Sequence, residues 1–229
     1  MRRLYREWAG FAENYISIIT NLELKSKGFP FSVLDIACGT GVLIGELSKI
    51  GFTVKGTDIS KDMLEVARTA FPNIDFIVSD MRVMDLGIKV DLITCTFDSL
   101  NYLTSIRDLS RVFNNVYTHL NDSGYFLFDI NTPKLYEDKQ HGTIHRVIDG
   151  YEFDQVLYFD KEEMISRTVF KFTDGYYEEH LQRPYTYGEI LKVIEENRMK
   201  LINAFKNKEL QPFESTSYKI YFLAQKMER

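Results

Sequence analysis

The chain has 229 residues, 45% hydrophobic and 27% charged, which is ordinary for a globular protein and enough for one α/β domain with an insertion. A net charge of −5 argues against a surface built for nucleic-acid phosphates. No apolar run approaches the roughly 18 residues of a membrane span, the start of the chain has no leader pattern, and Cys38 and Cys95 sit in apolar stretches as free thiols of a reducing, cytoplasmic chain.

Residues 3–20 carry Leu4, Trp8, Phe11, Tyr15 and Ile18 at helical spacing, and Lys25 to Pro30 breaks the pattern. Strands and helices then alternate. A strand at 33–37 is followed by a helix at 42–50, a strand at 53–57 and a helix from the Ser60 cap to Ala70. Strands at 74–78 and 92–97 come next, then a helix with Ile106, Leu109, Phe113, Val116 and Leu120 on one face. Asn121-Asp122-Ser123-Gly124 ends that helix before a strand at 125–130. This alternation predicts an α/β class: a doubly wound, mostly parallel seven-stranded sheet with helices on both faces.

The pattern changes at 144–186, where strand-like runs flank the turns Asp149-Gly150 and Thr173-Asp174-Gly175. The segment reads as an antiparallel β insertion roofing a substrate cleft, with 1–143 and 187–229 as the core domain. The helical theme resumes at the capping box Thr186-x-x-Glu189, and strands near 201–206 and 218–225 close the chain.

The first strand runs into Gly39-x-Gly41 and an apolar helix start, Val42-Leu43. Glycines at such a turn let the backbone approach a nucleotide-like ligand, and the helix N-terminus offers unpaired N–H groups. A lone glycine motif is a weak signal; the acids in register sharpen it. Asp35 lies inside the first strand, Asp58 ends the second and Asp80 ends the third. Asp58 is placed to accept ribose hydroxyls and Asp80 an adenine amine, at strand ends that share one crevice. A cofactor of adenine, ribose and a short zwitterionic tail would touch all three ends.

Residues 33–41 (Val-Leu-Asp-Ile-Ala-Cys-Gly-Thr-Gly), 56–64 (Gly-Thr-Asp-Ile-Ser-x-x-Met-Leu), 79–81 (Ser-Asp-Met) and 97–102 (Phe-Asp-Ser-Leu-Asn-Tyr) resemble, in order and spacing, the class I S-adenosylmethionine-dependent methyltransferases. The resemblance covers roughly residues 31–131. It implies S-adenosylmethionine as cofactor, S-adenosylhomocysteine as product, and no metal. By the resemblance, Gly39 and Gly41 approach the methionine part, Asp58 with Ile59 the ribose side, and Asp80 and Met81 the adenine. Asp35 belongs to the same site, and the backbone at Ala37 and Phe97 brackets the sulfonium.

The acceptor is less legible. The position after the fourth strand reads Phe97-Asp98-Ser99-Leu100 and lacks the Asp/Asn-Pro-Pro-Tyr/Phe of nucleic-acid amino methyltransferases. Asp98, the β insertion and Glu179-His180-Leu181-Gln182-Arg183 resemble small-molecule enzymes, with N-methyltransferases of small amines and nucleotide-linked amino sugars as the nearest comparison. Asp98 and His180 are therefore candidate catalytic residues, and Asp98, His180 and Arg183 candidate acceptor contacts. His141 and His145 read as members of a polar loop. The expected partner is a small-molecule methyl acceptor, with no nucleic acid and no membrane, and a homodimer is allowed. O-methylation is the alternative, followed by tRNA modification, NAD(P)-dependent oxidoreduction and a non-catalytic cofactor-binding module.

Overall fold

The computed structural model describes residues 9–22, 31–139, 141–148 and 150–228. Helix α1 spans Ala9–Asn21, followed by β1 (Ser32–Ile36), α2 (Val42–Lys49), β2 (Thr53–Asp58), α3 (Lys61–Ala70), β3 (Asp75–Val78) and β4 (Val90–Cys95). A 3₁₀ turn at Ser99–Tyr102 leads to α4 (Ile106–His119), β5 (Leu120–Asn131) and α5 (Pro133–Lys139). Four strands follow: β6 (Gly142–Ile148), β7 (Tyr151–Asp160), β8 (Ile165–Phe172) and β9 (Tyr177–Gln182). Helix α6 (Tyr187–Glu196), β10 (Met199–Phe205) and β11 (Lys219–Lys226) complete the chain.

The main sheet has the order β10-β11-β5-β4-β1-β2-β3, and only β11 runs against its neighbours. Its central strands are apolar on both faces because helices cover both. Leu34, Ile36, Ile93 and Phe128 pack under α4 and α6 with Phe113, Val116, Ile190 and Val193. Val33, Leu92 and Leu127 point the other way, under α1 and α2 with Ile18, Ile19, Leu43 and Leu47. The period of two therefore places Asp35, between Leu34 and Ile36, on the α1–α2 face. Because β1, β2 and β3 are parallel neighbours, their C-terminal ends lie side by side.

The doubly wound sheet, the Ser60 cap and the Thr186–Glu189 capping box stand as expected. The insertion is a separate antiparallel meander, β6-β7-β8-β9, beginning at Gly142 and ending at Gln182. Its turns place Gly150 at φ +80° and Gly175 at φ +85°, where a Cβ would be strained. His145 is not in a loop: it lies in β6, paired to Asp154 across β7, and its Nδ1 is 2.9 Å from the Asp154 carboxylate. His141 is exposed just before β6.

The first helix is described over Ala9–Asn21; Leu4, Trp8 and the break at 25–30 lie outside the described residues. Strand β5 begins at Leu120 rather than Tyr125. Between the pairs Val90↔Leu120 and Leu92↔Tyr125, β4 advances two residues and β5 five, so the Asn121–Gly124 turn chemistry is absorbed as a bulge with Ser123 at φ +60°. Helix α5 was unread because seven residues are too few to show a period. Among the described residues no helix is long and apolar enough to cross a membrane.

Candidate active site

The turn after β1 is built from left-handed residues. Ala37, Gly39 and Gly41 have φ of +55°, +56° and +75°. Gly41 is also the N-cap of α2, and no side chain caps that helix. The first-turn N–H groups are thus left to solvent or a ligand. At Gly41 a Cβ would stand 2.8 Å from the Phe76 ring, so this glycine also serves the packing of β3 on α2.

Asp58 ends β2 and reaches back to this turn. Its Oδ2 accepts the Gly39 N–H at 2.8 Å and its Oδ1 accepts the Ser60 N–H at 2.8 Å. Each oxygen keeps a second lone-pair direction. The next side chain, Ile59, is 63% exposed, an unusual position for isoleucine unless something covers it. Asp80, past the end of β3, is held differently. Arg82 donates to both of its oxygens, with Nη2–Oδ2 at 2.6 Å, and holds the carboxyl below its ordinary pKa. Any adenine amine must share that carboxylate with Arg82. Met81 packs its side chain on the core, and its carbonyl accepts from Asn115 Nδ2 at 2.9 Å. The loop is pinned again where His119 Nε2 accepts the Leu86 N–H at 3.0 Å.

Below the turn lies a buried polar row on the α1–α2 face. Asp35 accepts from Thr94 Oγ1, its register partner on β4, at 2.6 Å. Burial pushes the Asp35 carboxyl up to about 7, against the Thr94 hydrogen bond, and the nearby Asp58 charge adds to the rise. Farther along, Asp129 on β5 accepts from Tyr15 Oη at 2.7 Å, from the Asp98 N–H at 2.9 Å and from Lys219 Nζ at 2.5 Å. Tyr15 Oη in turn accepts the Phe97 N–H at 3.1 Å. Phe97 and Asp98 have φ of +60° and +50°, two strained non-glycine residues in succession, and these two backbone hydrogen bonds hold them there.

The Asp98 side chain does not cap the 3₁₀ turn that follows it. Its Oδ2 accepts from Gln182 Nε2 at 2.6 Å, and its Oδ1 lies 3.4 Å from Lys219 Nζ. Burial pushes its carboxyl up while Lys219 works the other way. Burial likewise opposes the Lys219 charge, but Asp129 and Asp98 hold the ammonium above an ordinary lysine pKa. Tyr136 from α5 closes the set, donating to Gln182 Oε1 at 3.1 Å. Asp129 and Lys219 carry no sequence signal that marks them as members of a site.

The inner face of the second sheet carries Glu178, His180 and Gln182 on β9, alternate residues of one strand face. His180 Nδ1 is 2.8 Å from Tyr102 Oη, and its buried Nε2 is 3.5 Å from Glu178 Oε2. Phe170 and Tyr102 set their rings edge-on to the imidazole. Arg183, expected to meet an acceptor group, is held by its neighbours, with Nη1 buried and without a hydrogen bond. Its Nη2 pairs with Glu189 at 2.6 Å, its guanidinium stacks 4.6 Å over the Tyr185 ring, and its backbone is clasped by Asn101. Both thiols are free and pushed up by burial, so neither is a ready nucleophile. Among the described residues no three His, Cys, Asp or Glu side chains gather as for a metal ion.

A sheet of this order with one reversed strand, a glycine turn after β1 and acids at the next two strand ends defines the S-adenosylmethionine-dependent methyltransferase fold. Comparison with known proteins agrees: residues 33–124 match the family described as a methyltransferase domain, and the resemblance read in the sequence is borne out in domain and fold. The chain is 29% identical over 170 residues to dTDP-4-amino-2,3,4,6-tetradeoxy-D-glucose N,N-dimethyltransferase of Saccharopolyspora spinosa, covering 74% of this chain and 62% of that one. The chain spans about half the length of the curated relatives it matches. Among solved structures, an S-adenosylmethionine-dependent methyltransferase from Clostridium acetobutylicum superposes with a TM-score of 0.84 at 24% identity, over 98% of this chain and 92% of that one. The amino pentose methyltransferase CalS10 from Micromonospora echinaspora gives 0.72 at 17% identity, over 97% of each chain.

Proposed function

We propose that this protein is an S-adenosylmethionine-dependent methyltransferase acting on the nitrogen of a small polar amine, with an amino sugar as the acceptor class. The observation that carries the reading is the Asp58–Gly39 clasp at an uncapped helix N-terminus, beside an exposed Ile59 and the Asp80 carboxylate. This donor set fits a ribose, an apolar base and a carboxylate-bearing tail. The first-turn N–H groups of α2 and the Gly39–Gly41 turn receive the tail. Asp58 offers its remaining lone pairs to the ribose hydroxyls, Ile59 covers the base and Asp80 with Met81 meets its edge. Ala37 and Phe97 flank the reacting centre, with Asp35 beneath. Relatives that methylate amino sugars support the acceptor class. The free thiols fit a cytoplasmic setting.

When bound, the cofactor supplies an activated methyl on a cationic sulfur. The protein's own task is to hold the acceptor nitrogen in line and exclude water. The strained Phe97–Asp98 backbone, fixed by Tyr15 and Asp129, sets one wall of that path; the inner face of the second sheet sets the other. The test is transfer of labelled methyl from S-adenosylmethionine across amines, nucleotide-linked amino sugars, phenols and bulk RNA, with calorimetry against S-adenosylhomocysteine and NADPH. Label on an amine and binding of the homocysteine product are expected. Tight NADPH binding with none of the homocysteine product, or label entering RNA, would overturn the reading.

A further inference from the structure

Two groups beside the acceptor path carry candidate proton-accepting chemistry, and the structure distinguishes them. Both Asp98 oxygens are engaged, one by Gln182 and one facing Lys219. Its backbone is strained and tied to Asp129. That carboxylate is a strut between the main sheet and β9. Tyr102 differs. It ends the 3₁₀ turn that begins beside Asp98, it is 38% exposed, and its hydroxyl meets His180 Nδ1 at 2.8 Å. Behind the imidazole, Glu178 Oε2 lies 3.5 Å from Nε2.

Resting on the methyltransferase reading above, we propose that Tyr102, His180 and Glu178 form a hydroxyl–imidazole–carboxylate relay that takes the proton from an acceptor ammonium before methyl transfer. The order of groups is that of a hydrolase triad, with a phenol in place of the serine and the acceptor's proton in place of the nucleophile's own. An ammonium has no lone pair and cannot attack. The acceptor N–H proton passes to Tyr102 Oη while the tyrosine's own proton passes to His180 Nδ1. His180 then carries protons on both nitrogens, and Nε2–H faces Glu178, whose charge stabilises the imidazolium. The freed nitrogen pair forms the N–C bond to the methyl as the C–S bond breaks, its electrons staying on sulfur. The products are a methylated ammonium, a neutral thioether and an imidazolium that releases its proton to solvent.

The surroundings fit this sequence. Burial, with the Asp98 and Glu178 charges, drives the Tyr102 phenol well above its ordinary pKa, so it relays a proton without resting as a phenolate. His180 Nδ1 faces Tyr102 from the 3₁₀ turn, Thr168 is its register partner on β8, and Glu178 lies on its own strand. A relay ending at imidazole deprotonates only a weakly basic ammonium. The acceptor class follows: an amine on a carbon flanked by electron-withdrawing oxygen substituents, as on a sugar ring, rather than a simple alkylamine.

The experiment is a pH–rate profile with a dTDP-linked 4-amino-4,6-dideoxy sugar and with butylamine as probes, for the wild type, Tyr102→Phe, His180→Gln and Glu178→Gln. Calorimetry with S-adenosylhomocysteine accompanies each. The relay predicts a kcat/KM loss of about 100-fold at pH 7 for Tyr102→Phe and His180→Gln. The loss shrinks above pH 9, where the amine arrives neutral, and product affinity changes less than twofold. Glu178→Gln shows the same shift in weaker form, and wild-type turnover of butylamine stays below that of the amino sugar at pH 7. Tyr102→Phe and His180→Gln profiles that keep the wild-type acidic limb would overturn the relay while leaving the methyltransferase reading intact. Equal losses at every pH assign these residues to packing and overturn it as well. A wild type that binds the homocysteine product but methylates no amine removes the acceptor reading and the relay together.

Discussion

Asp58 and Gly39 are joined across two strands: the carboxylate that ends β2 accepts the N–H of the glycine turn after β1 at 2.8 Å. One side chain thereby fixes the glycine turn, to which the proposed function gives the cofactor tail. Asp58→Ala removes this bond and the one to Ser60, together with the proposed ribose contact. Hydrogen bonds to a charged group contribute about 1.5–3 kcal/mol each. S-adenosylhomocysteine affinity is therefore expected to fall at least tenfold by calorimetry. Unchanged affinity would move Asp58 out of the cofactor site.

Asp35 gives the protein a stability penalty that grows with pH. Its carboxyl ionises near pH 7 in the fold because of burial, against 3.8 in the unfolded chain. Below about pH 4 both states are protonated and nothing is lost. Between there and pH 7 the unfolded chain sheds its proton while the fold keeps it, so stability falls; above 7 the loss levels off. At 1.36 kcal/mol per pKa unit, this residue removes about 2–3 kcal/mol between pH 5 and pH 8. Asp35→Asn, which still accepts from Thr94, is expected to flatten that slope in urea titrations of the unliganded protein. A variant that keeps the wild-type slope assigns the pH dependence to another group.

The elements around the proposed cofactor site are legible because their determinants are local. The glycine turn, the Ser60 cap and the Thr186–Glu189 box each lie within a few residues, and hydrophobic periodicity reports the strands between them. The polar groups around Asp98 and His180 are assembled from distant segments. Tyr15 meets Asp129 across 114 residues, Lys219 meets Asp129 across 90 and His180 meets Tyr102 across 78. Nothing local marks such pairs. Asp129 hid inside an apolar strand run, and Lys219 read as an ordinary strand residue. Arg183, expected as an acceptor contact, pairs its Nη2 with Glu189, three residues after the helix cap, another contact that its place at the end of the insertion does not reveal.

Gly41 is constrained twice. Its φ of +75° costs an L side chain roughly 1–2 kcal/mol, and a Cβ would stand 2.8 Å from the Phe76 ring and 3.3 Å from the Ala67 Cβ. Gly41→Ala is expected to lose about 3 kcal/mol of unfolding free energy by urea titration, with overpacking adding to the backbone strain. Introducing Phe76→Leu alongside it relieves the clash and not the strain. The double variant should therefore lose less than the sum of the two single losses. Strict additivity would mean that the ring does not oppose the new methyl.

Lys219 is the cation that two carboxylates share. Asp129 is fully buried and Asp98 half-buried, and Lys219 Nζ is 2.5 Å from the first and 3.4 Å from the second. Removing one member of a buried ionic set leaves uncompensated charge, which costs about 3–5 kcal/mol. Lys219→Met fills the same space without the charge. It is expected to lose about 3 kcal/mol at pH 8 by urea titration, since the lysine keeps partial contact with solvent. The sign of the pH effect follows from burial, which already pushes the Asp98 carboxyl up. Without the lysine that carboxyl takes a proton at higher pH, so the deficit narrows as pH falls toward 5. Kinetics add a second reading, because Asp129, which Lys219 holds, fixes the strained Asp98 backbone and, through Tyr15, that of Phe97. The variant should lose kcat on any accepted amine while its S-adenosylhomocysteine affinity changes less. A deficit of equal size at pH 5 and pH 8 would show that Lys219 contributes packing, and the shared-cation account would be withdrawn.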